Sequence, residues 1–270
     1  MNSYNFYLLE KQAPLAWIWL NRPEKKNSLN MPAWEELEPI FKEIDADDEI
    51  KVVLIAGKGD SFSTGVDLEM VQKLPELKKA ASGSRLELFE RICGFQKAIT
   101  NIEKSKKPVI ALIHGYCVGA GLDMATACDF RLCSKDALFS IKETAMGFAP
   151  DIGVLQRIRH ITGAGIAREL AFTSKIFNAA YAKEIFLVNR VYDDFNMLME
   201  GAKKTAEEIA ANPPLAVRAT KDVMNYSNGK SVEDGLKYVA SICSNLIPSP
   251  DLYEAISAFM ENRKPKFTGR

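Results

Sequence analysis

Three acidic residues and two turns of small residues are the places in this chain where chemistry could reside. The segment Gly115-Tyr-Cys-Val-Gly-Ala-Gly121, followed by a helical pattern, would present closely spaced backbone N–H groups at the positive end of a helix, which suits an anion or an oxyanion. A second turn, Ser61-Phe-Ser-Thr-Gly-Val-Asp67, could offer another N–H to the same oxygen, although Gly, Ser and Thr populate turns for local reasons alone. Beside these turns stand Asp123, Glu143 and Asp151. Taken singly, each has a plain role. Asp123 would favour the helix dipole, Glu143 would end a strand after Phe139 and Ile141, and Asp151 would start a turn or helix after Pro150. Only a shared site would turn them into acid and base groups. A dinucleotide fingerprint fits less well: Met124 stands where the third glycine is needed, and Asp123 would face the pyrophosphate, although Glu143 follows at the distance that motif favours.

The elements that must position these residues alternate between strand and helix signals. Phe6 to Glu10 and Leu15 to Leu20 read as a hairpin turning at Gln12 to Pro14. Trp34, Leu37, Phe41 and Ile44 recur at helical spacing after Asn30, a possible cap, with Pro39 expected to kink the helix or remove a hydrogen bond. Val52 to Ala56 and Val109 to Ile113 read as buried strands. Leu122 to Cys128 reads as a short helix leading to a strand at Phe130 to Cys133. Residues 74 to 84 are polar and small, as in a mobile loop, and precede a long helix through Leu88, Ile92, Phe95, Ile99 and Ile102. After Asp194 the texture becomes helical, with breaks at Pro213-Pro214, Asn228-Gly229 and Pro248-Ser249-Pro250.

Charge and composition remove several classes of function. Lys plus Arg and Asp plus Glu both total 35, so no net field attracts nucleic acid or an anionic membrane surface, and any basic role must be local. The five cysteines form no C-x-x-C pair and only two histidines are present, which speaks against a zinc cluster or a disulfide framework and for a reducing compartment. Met1 to Lys11 has no apolar signal core and the C-terminus carries no peroxisomal tripeptide, so a cytoplasmic location is expected. No apolar run approaches the ~20 residues of a spanning helix.

Leu20-Asn-Arg-Pro-Glu-Lys-Lys-Asn-Ser-Leu-Asn30, Phe62-Ser-Thr-Gly-Val-Asp-Leu68 and Pro108-Val-Ile-Ala-Leu-Ile-His-Gly-Tyr-Cys-Val-Gly-Ala-Gly121 resemble the crotonase superfamily in order and spacing. Cys128-Asp-Phe-Arg131, Gly153-Val-Leu-Gln-Arg157, Ala255 to Ala258 and Arg263-Lys-Pro-Lys-Phe267 extend the resemblance over essentially the whole chain. It implies an α/β fold, a spiral of ββα units over residues 1–193 carrying an acyl-CoA site, with a C-terminal helical region over 194–270 used in forming a trimer or hexamer. It also implies a coenzyme A thioester whose carbonyl lies between the backbone N–H groups of Val66 and Ala120. Preorganised donors there would stabilise an enolate, each typically worth ~3 kcal/mol. Ala120 replaces the glycine common in this turn, and the hole survives if its φ is negative. By position, Ser63, Thr64, Gly65, Val66, Asp67, Leu68, Gly119 and Ala120 would contact the thioester end. Arg22, Lys25 and Lys26, with Lys264 and Lys266 as further candidates, would meet coenzyme A phosphates. Coenzyme A belongs to the substrate, and no separate cofactor is expected.

Within that superfamily, hydratases carry two glutamates at the positions of Asp123 and Glu143. Asp123 is one carbon too short for that pattern, and Asp151 follows Pro150 where hydratases usually have glycine. Acidic residues at all three places resemble the dienoyl-CoA isomerases, although Pro150 is hydratase-like. Moving a 3,5-diene to a 2,4-diene removes a proton at C2 and adds one at C6, which two separated carboxylates can serve better than one. The resemblance therefore implies Glu143 at C2 and Asp151 at C6, or the reverse, with Asp123 orienting or polarising. Hydration of a 2-enoyl-CoA is the alternative reaction, and a non-catalytic acyl-CoA or RNA-binding relative is a third possibility that the intact carboxylates and balanced charge disfavour.

Overall fold

The computed structural model describes residues 4–74 and 82–269. Two strands, β1 (Tyr7–Gln12) and β2 (Leu15–Leu20), pair antiparallel as a hairpin with Ala13 and Pro14 between them. β2 then pairs parallel with β3 (Val52–Gly57), β3 with β4 (Val109–Ile113), β4 with β6 (Phe130–Ser134), and β6 with β9 (Arg190–Tyr192). Every residue of β2, β3 and β4 is buried, so these strands read as unbroken apolar runs rather than alternating ones, as expected when both faces of a sheet are covered.

A smaller sheet orders β5 (Tyr116–Val118), β7 (Leu138–Ser140) and β8 (Phe177–Asn178). β5 therefore occupies the middle of what the sequence reads as a plain glycine-rich turn. Three residues are too few for a periodicity to show, and the strand exists because its neighbours supply the partners. The units β4-β5 and β6-β7, each followed by helices, are turns of the ββα spiral, here in an α/β fold with a helical C-terminal region.

Met31–Glu35 (α1) and Leu37–Ala46 (α2) are separate helices, which corrects the single kinked helix expected around Pro39. Pro39 lies in the first turn of α2, where its missing N–H costs nothing. The break falls at Glu36, whose carboxylate turns aside to accept the backbone N–H groups of Asn5, Phe6 and Tyr7 at 2.6, 2.9 and 3.2 Å. Asn30 takes the cap position of α1 by its backbone, but its side chain makes no capping bond.

Leu68–Lys73 (α3) ends at Leu74, and most of the loop expected over 74–84 lies outside the described residues. From Ser82 the backbone is already helical: α4 (Ser82–Lys104) buries Ala98, Ile99 and Ile102 in its last turns. α5 (Ala120–Ala127) starts two residues earlier than the pattern predicts, because Gly119 supplies the turn. α6 (Val154–Thr162), α7 (Ala164–Thr173) and α8 (Ala179–Glu184) complete the spiral.

The helical texture after Asp194 consists of α9 (Phe195–Ala210), α10 (Pro214–Ser227), α11 (Val232–Leu246) and α12 (Pro250–Met260). α9 nevertheless packs against the sheet: Leu198, Ala202 and Ala206 join Trp17, Trp19, Leu54, Leu112 and Leu132 in one buried cluster. Among the described residues, no helix is long and apolar enough to cross a membrane.

Candidate active site

The loop at Ser61–Asp67 is laced to β5 and to the chain before α1. Ser63 N–H donates to the Tyr116 carbonyl at 2.8 Å, Val118 N–H donates to the Ser63 carbonyl at 3.0 Å, Leu29 N–H donates to the Gly65 carbonyl at 2.7 Å and Asp67 N–H donates to the Leu29 carbonyl at 3.0 Å. Asp67 caps α3 by accepting the N–H groups of Glu69 and Met70, and its other oxygen takes Nη1 of Arg22 at 2.5 Å. Burial pushes the Asp67 carboxyl up, but the guanidinium and the two amides outweigh it and hold it below the usual range. Ser63 Oγ donates to the Asn27 carbonyl and accepts from Gly65 N–H.

Among the amides that these bonds leave without a partner in the described residues are those of Val66 and Ala120. They belong to turns that touch glycine against glycine. A Cβ on Gly65 would sit 2.9 Å from the Val118 carbonyl oxygen and 3.3 Å from the Ala120 nitrogen, so the absence of side chains is what lets the turns meet. Ala120 is the first residue of α5 and is absent from the residues with positive φ, so replacing glycine here brings no left-handed strain.

The three carboxylates converge on this junction. Glu143 opens a 3-10 turn, Glu143–Met146, directly after β7, and is 7% exposed. Its Oε1 faces the Cα of Gly119. Asp123, 1% exposed, sits one turn into α5 and accepts the N–H of Val154, the first residue of α6, at 2.6 Å. Asp151 precedes that helix in the Pro150–Gly153 turn and is half-buried, its backbone carbonyl accepting Nε2 of Gln96 at 2.6 Å.

Burial, then the neighbouring charge of Glu143, pushes Asp123 up to about 8, with Asp151 adding to it. Burial raises Glu143 and Asp151 as well, and the charge of Asp151 adds to the shift at Glu143. Like charges close together in a poorly solvated place cannot all ionise, which is how a carboxylic acid survives at neutral pH. Asp123 Oδ2 and Glu143 Oε2 are buried with no hydrogen-bond partner among the described residues. The site can therefore hold a protonated acid, a carboxylate base and two free amides within one junction.

The structure divides the expected coenzyme A residues. Arg22, Ser63 and Asp67 are engaged in bonds that build the loop, and Thr64 N–H donates to the Lys26 carbonyl. Lys25 pairs with Glu69 at 2.7 Å, Lys26 Nζ lies 5.0 Å from the Tyr116 ring centre, and Leu68 is exposed. Lys264 and Lys266 are exposed on the tail that Glu254 and Asp251 hold against α12. Two recesses flank the segment that bears Asp151. One, of ≈ 730 Å³, is lined by Thr144, Phe148, Ala149, Pro150, Leu155 and Phe172; the other, of ≈ 1140 Å³, includes Gln96, Glu103, Gly153 and Arg157. Gln96 has no signal in the sequence as a site residue, because the turn it holds is remote in the chain, and Arg157 appears there only as the end of the Gly153–Arg157 motif, its partners Thr100 and Glu103 lying on another helix.

Residues 10–270 match the family described as enoyl-CoA hydratase/isomerase. The chain is 40% identical over 271 residues to the mitochondrial delta(3,5)-delta(2,4)-dienoyl-CoA isomerase of Dictyostelium discoideum, covering 99% of this chain and 92% of that one. It is 31% identical over 261 residues to a short-chain-enoyl-CoA hydratase of Clostridium acetobutylicum, covering 96% of each. The crystal structure of an enoyl-CoA hydratase from Bacillus anthracis superposes with a TM-score of 0.91 at 29% identity, covering 98% of this chain and all of the other. Sequence match, relatives and spiral fold agree, and the chain belongs to the enoyl-CoA hydratase/isomerase family of the crotonase superfamily, enzymes that act on acyl-CoA thioesters.

Proposed function

We propose that this enzyme converts a 3,5-dienoyl-CoA into the 2,4-dienoyl-CoA, an isomerisation belonging to fatty acid β-oxidation, with no cofactor beyond the coenzyme A of the substrate. The observation that carries the reading is the third carboxylate: Asp151 stands in the turn directly before Val154, whose N–H Asp123 holds, and its charge acts on both Asp123 and Glu143. Hydration needs no acid at C6, whereas the diene shift does. Similarity at 40% identity to a protein named for this isomerisation supports the same reading.

In this mechanism Glu143 takes the proton from C2, and the electron pair delocalises onto the thioester oxygen between the Val66 and Ala120 amides. As the dienolate collapses, Asp151 gives its proton to C6 and the double bonds come to rest at C2 and C4. Glu143 ends protonated and Asp151 ionised, so a proton returns between them, or exchanges with water, before the next turnover. Asp123, protonated near neutral pH, holds the start of α6 and offers its O–H towards the site.

A hydratase reading retains support in the 31% identity to a named hydratase and the 29% identity to a hydratase of the same fold. Offering the purified enzyme a 3,5-dienoyl-CoA and a 2-enoyl-CoA side by side separates the two. Conjugated-diene absorbance should rise with the first substrate, while the enoyl band of the second should persist. A trimer or hexamer is the assembly we assign, supported by the exposed Leu236, Ile247, Ile256 and Phe259 of the C-terminal helices. Light scattering at micromolar concentration checks it, and a monomer removes it. The free thiols at 93, 117, 128, 133 and 243 suit a reducing compartment such as the cytoplasm, which cell fractionation would test.

A further inference from the structure

Arg157 is a cation placed where a helix least favours one. It lies in the first turns of α6, at the positive end of the helix dipole, and its side chain folds back over the turn that carries Asp151. The fold accommodates it deliberately: a Cβ on Gly153 would collide with Arg157 Nη1, so only glycine lets the guanidinium lie against that turn. Nε and Nη2 both reach Oε2 of Glu103, at 2.9 and 2.8 Å, and Nη2 also donates to Thr100 Oγ1 at 3.2 Å. Thr100 and Glu103 share one face of α4 with Gln96, which holds the Asp151 carbonyl. The Arg157 side chain is only 14% exposed.

The other charged groups of this region are already balanced. Asp129 pairs with Lys221 at 2.8 Å, and Arg131 donates to the carbonyls of Ala125, Cys128 and Leu187. His160 lines the same recess and is bonded to its neighbour Arg159. From the other side, Asp123 faces Glu143 and Asp151, whose charges raise it, and Arg157 is the cation whose charge opposes that rise at Asp123.

We infer that Arg157, tethered by Glu103 and Thr100, is a positioning residue that packs against the Asp151 turn and biases the charge state of Asp123 beyond it, with Glu103 moderating its charge. Only its bearing on catalysis rests on the isomerase reading. Neutralising Arg157 removes the positive charge that acts on Asp123, and neutralising Glu103 leaves Arg157 unmoderated. The two changes should therefore move carboxyl titration in opposite directions. A residue that merely buttresses the turn would give shifts of the same sign, or none.

The test uses full-length protein with Arg157→Gln, Arg157→Lys and Glu103→Gln, following the infrared band of protonated carboxyl groups against pH, alongside the acidic limb of kcat/KM for a 3,5-dienoyl-CoA. The expected result is a midpoint about one pH unit higher in Arg157→Gln, lower in Glu103→Gln, and near the wild-type value in Arg157→Lys, which keeps the charge. Glu103 is the more exposed partner, so Glu103→Gln reads the sign even if Arg157→Gln does not fold. Midpoints that stay put, or a rise in Glu103→Gln, overturn the inference. If the midpoints separate as expected but the wild type turns over no dienoyl-CoA, the charge coupling stands and the isomerase reading falls.

Discussion

Oε1 of Glu143 presses so near Gly119 that a methyl group there would come within 3.2 Å of it. The base of the proposed reaction is thus seated on the same glycine that lets α5 begin and aims the Ala120 amide. Gly119 also has φ +54, a conformation costing an L-residue roughly 1 kcal/mol or more. Gly119→Ala should fold with slightly reduced stability yet lose at least about tenfold in kcat, because both the base and the oxyanion amide shift. Steady-state kinetics beside a thermal melt checks this, and unchanged kcat would show that Glu143 does not depend on the glycine.

Glu143→Gln should reduce isomerisation by about 100-fold to 10,000-fold, the usual loss on removing a general base, and should abolish exchange at C2 in deuterated water. Asp151→Asn should lose a similar factor while still washing deuterium into C2 and failing to deliver it to C6. Label entering C6 but not C2 in Asp151→Asn would exchange the two roles.

Asp123→Asn bears on stability and pH together. Asp123 titrates near 8 when folded against 3.8 as its ordinary value, so the folded state prefers the neutral form. The stability associated with this group is complete below pH 3.8 and declines as pH rises towards 8. An asparagine can still accept the Val154 N–H and has no charge to bury. The variant should therefore gain on the wild type by about 2 kcal/mol or more between pH 5 and pH 9, measured by denaturant unfolding at both. A constant difference would mean that Asp123 titrates normally.

Neutralising Lys25 and Lys26 together should weaken coenzyme A binding by about tenfold at low ionic strength and much less in high salt. The Lys25 pair with Glu69 is exposed and no obstacle, since solvent screens such a pair and it holds the lysine only weakly. Equal affinity of wild type and double variant, measured calorimetrically at low salt, would assign the phosphates to other cations.

What the sequence alone determined is local and repetitive. The buried runs of β2, β3 and β4 are legible because burial on both faces demands unbroken apolar residues, and the turn at Gly115 to Gly121 because only small residues make it. The ordered motifs identified the superfamily, and through it the positions of Val66, Ala120, Asp123, Glu143 and Asp151. What tertiary structure decided is every relationship between distant turns. No local pattern separates α1 from α2, because the break at Glu36 exists to satisfy three amides leading into β1. None says that Arg22 and Asp67 build the loop, or that Arg157 reaches back over Gly153 to Glu103. Above all, an aspartate at the start of a helix looks the same in sequence whether it is solvated or sealed. Burial beside the charge of Glu143, outweighing the opposing bond from the first amide of α6, makes Asp123 an acid near neutral pH, because desolvation and like charge depend on where the chain brings residues together.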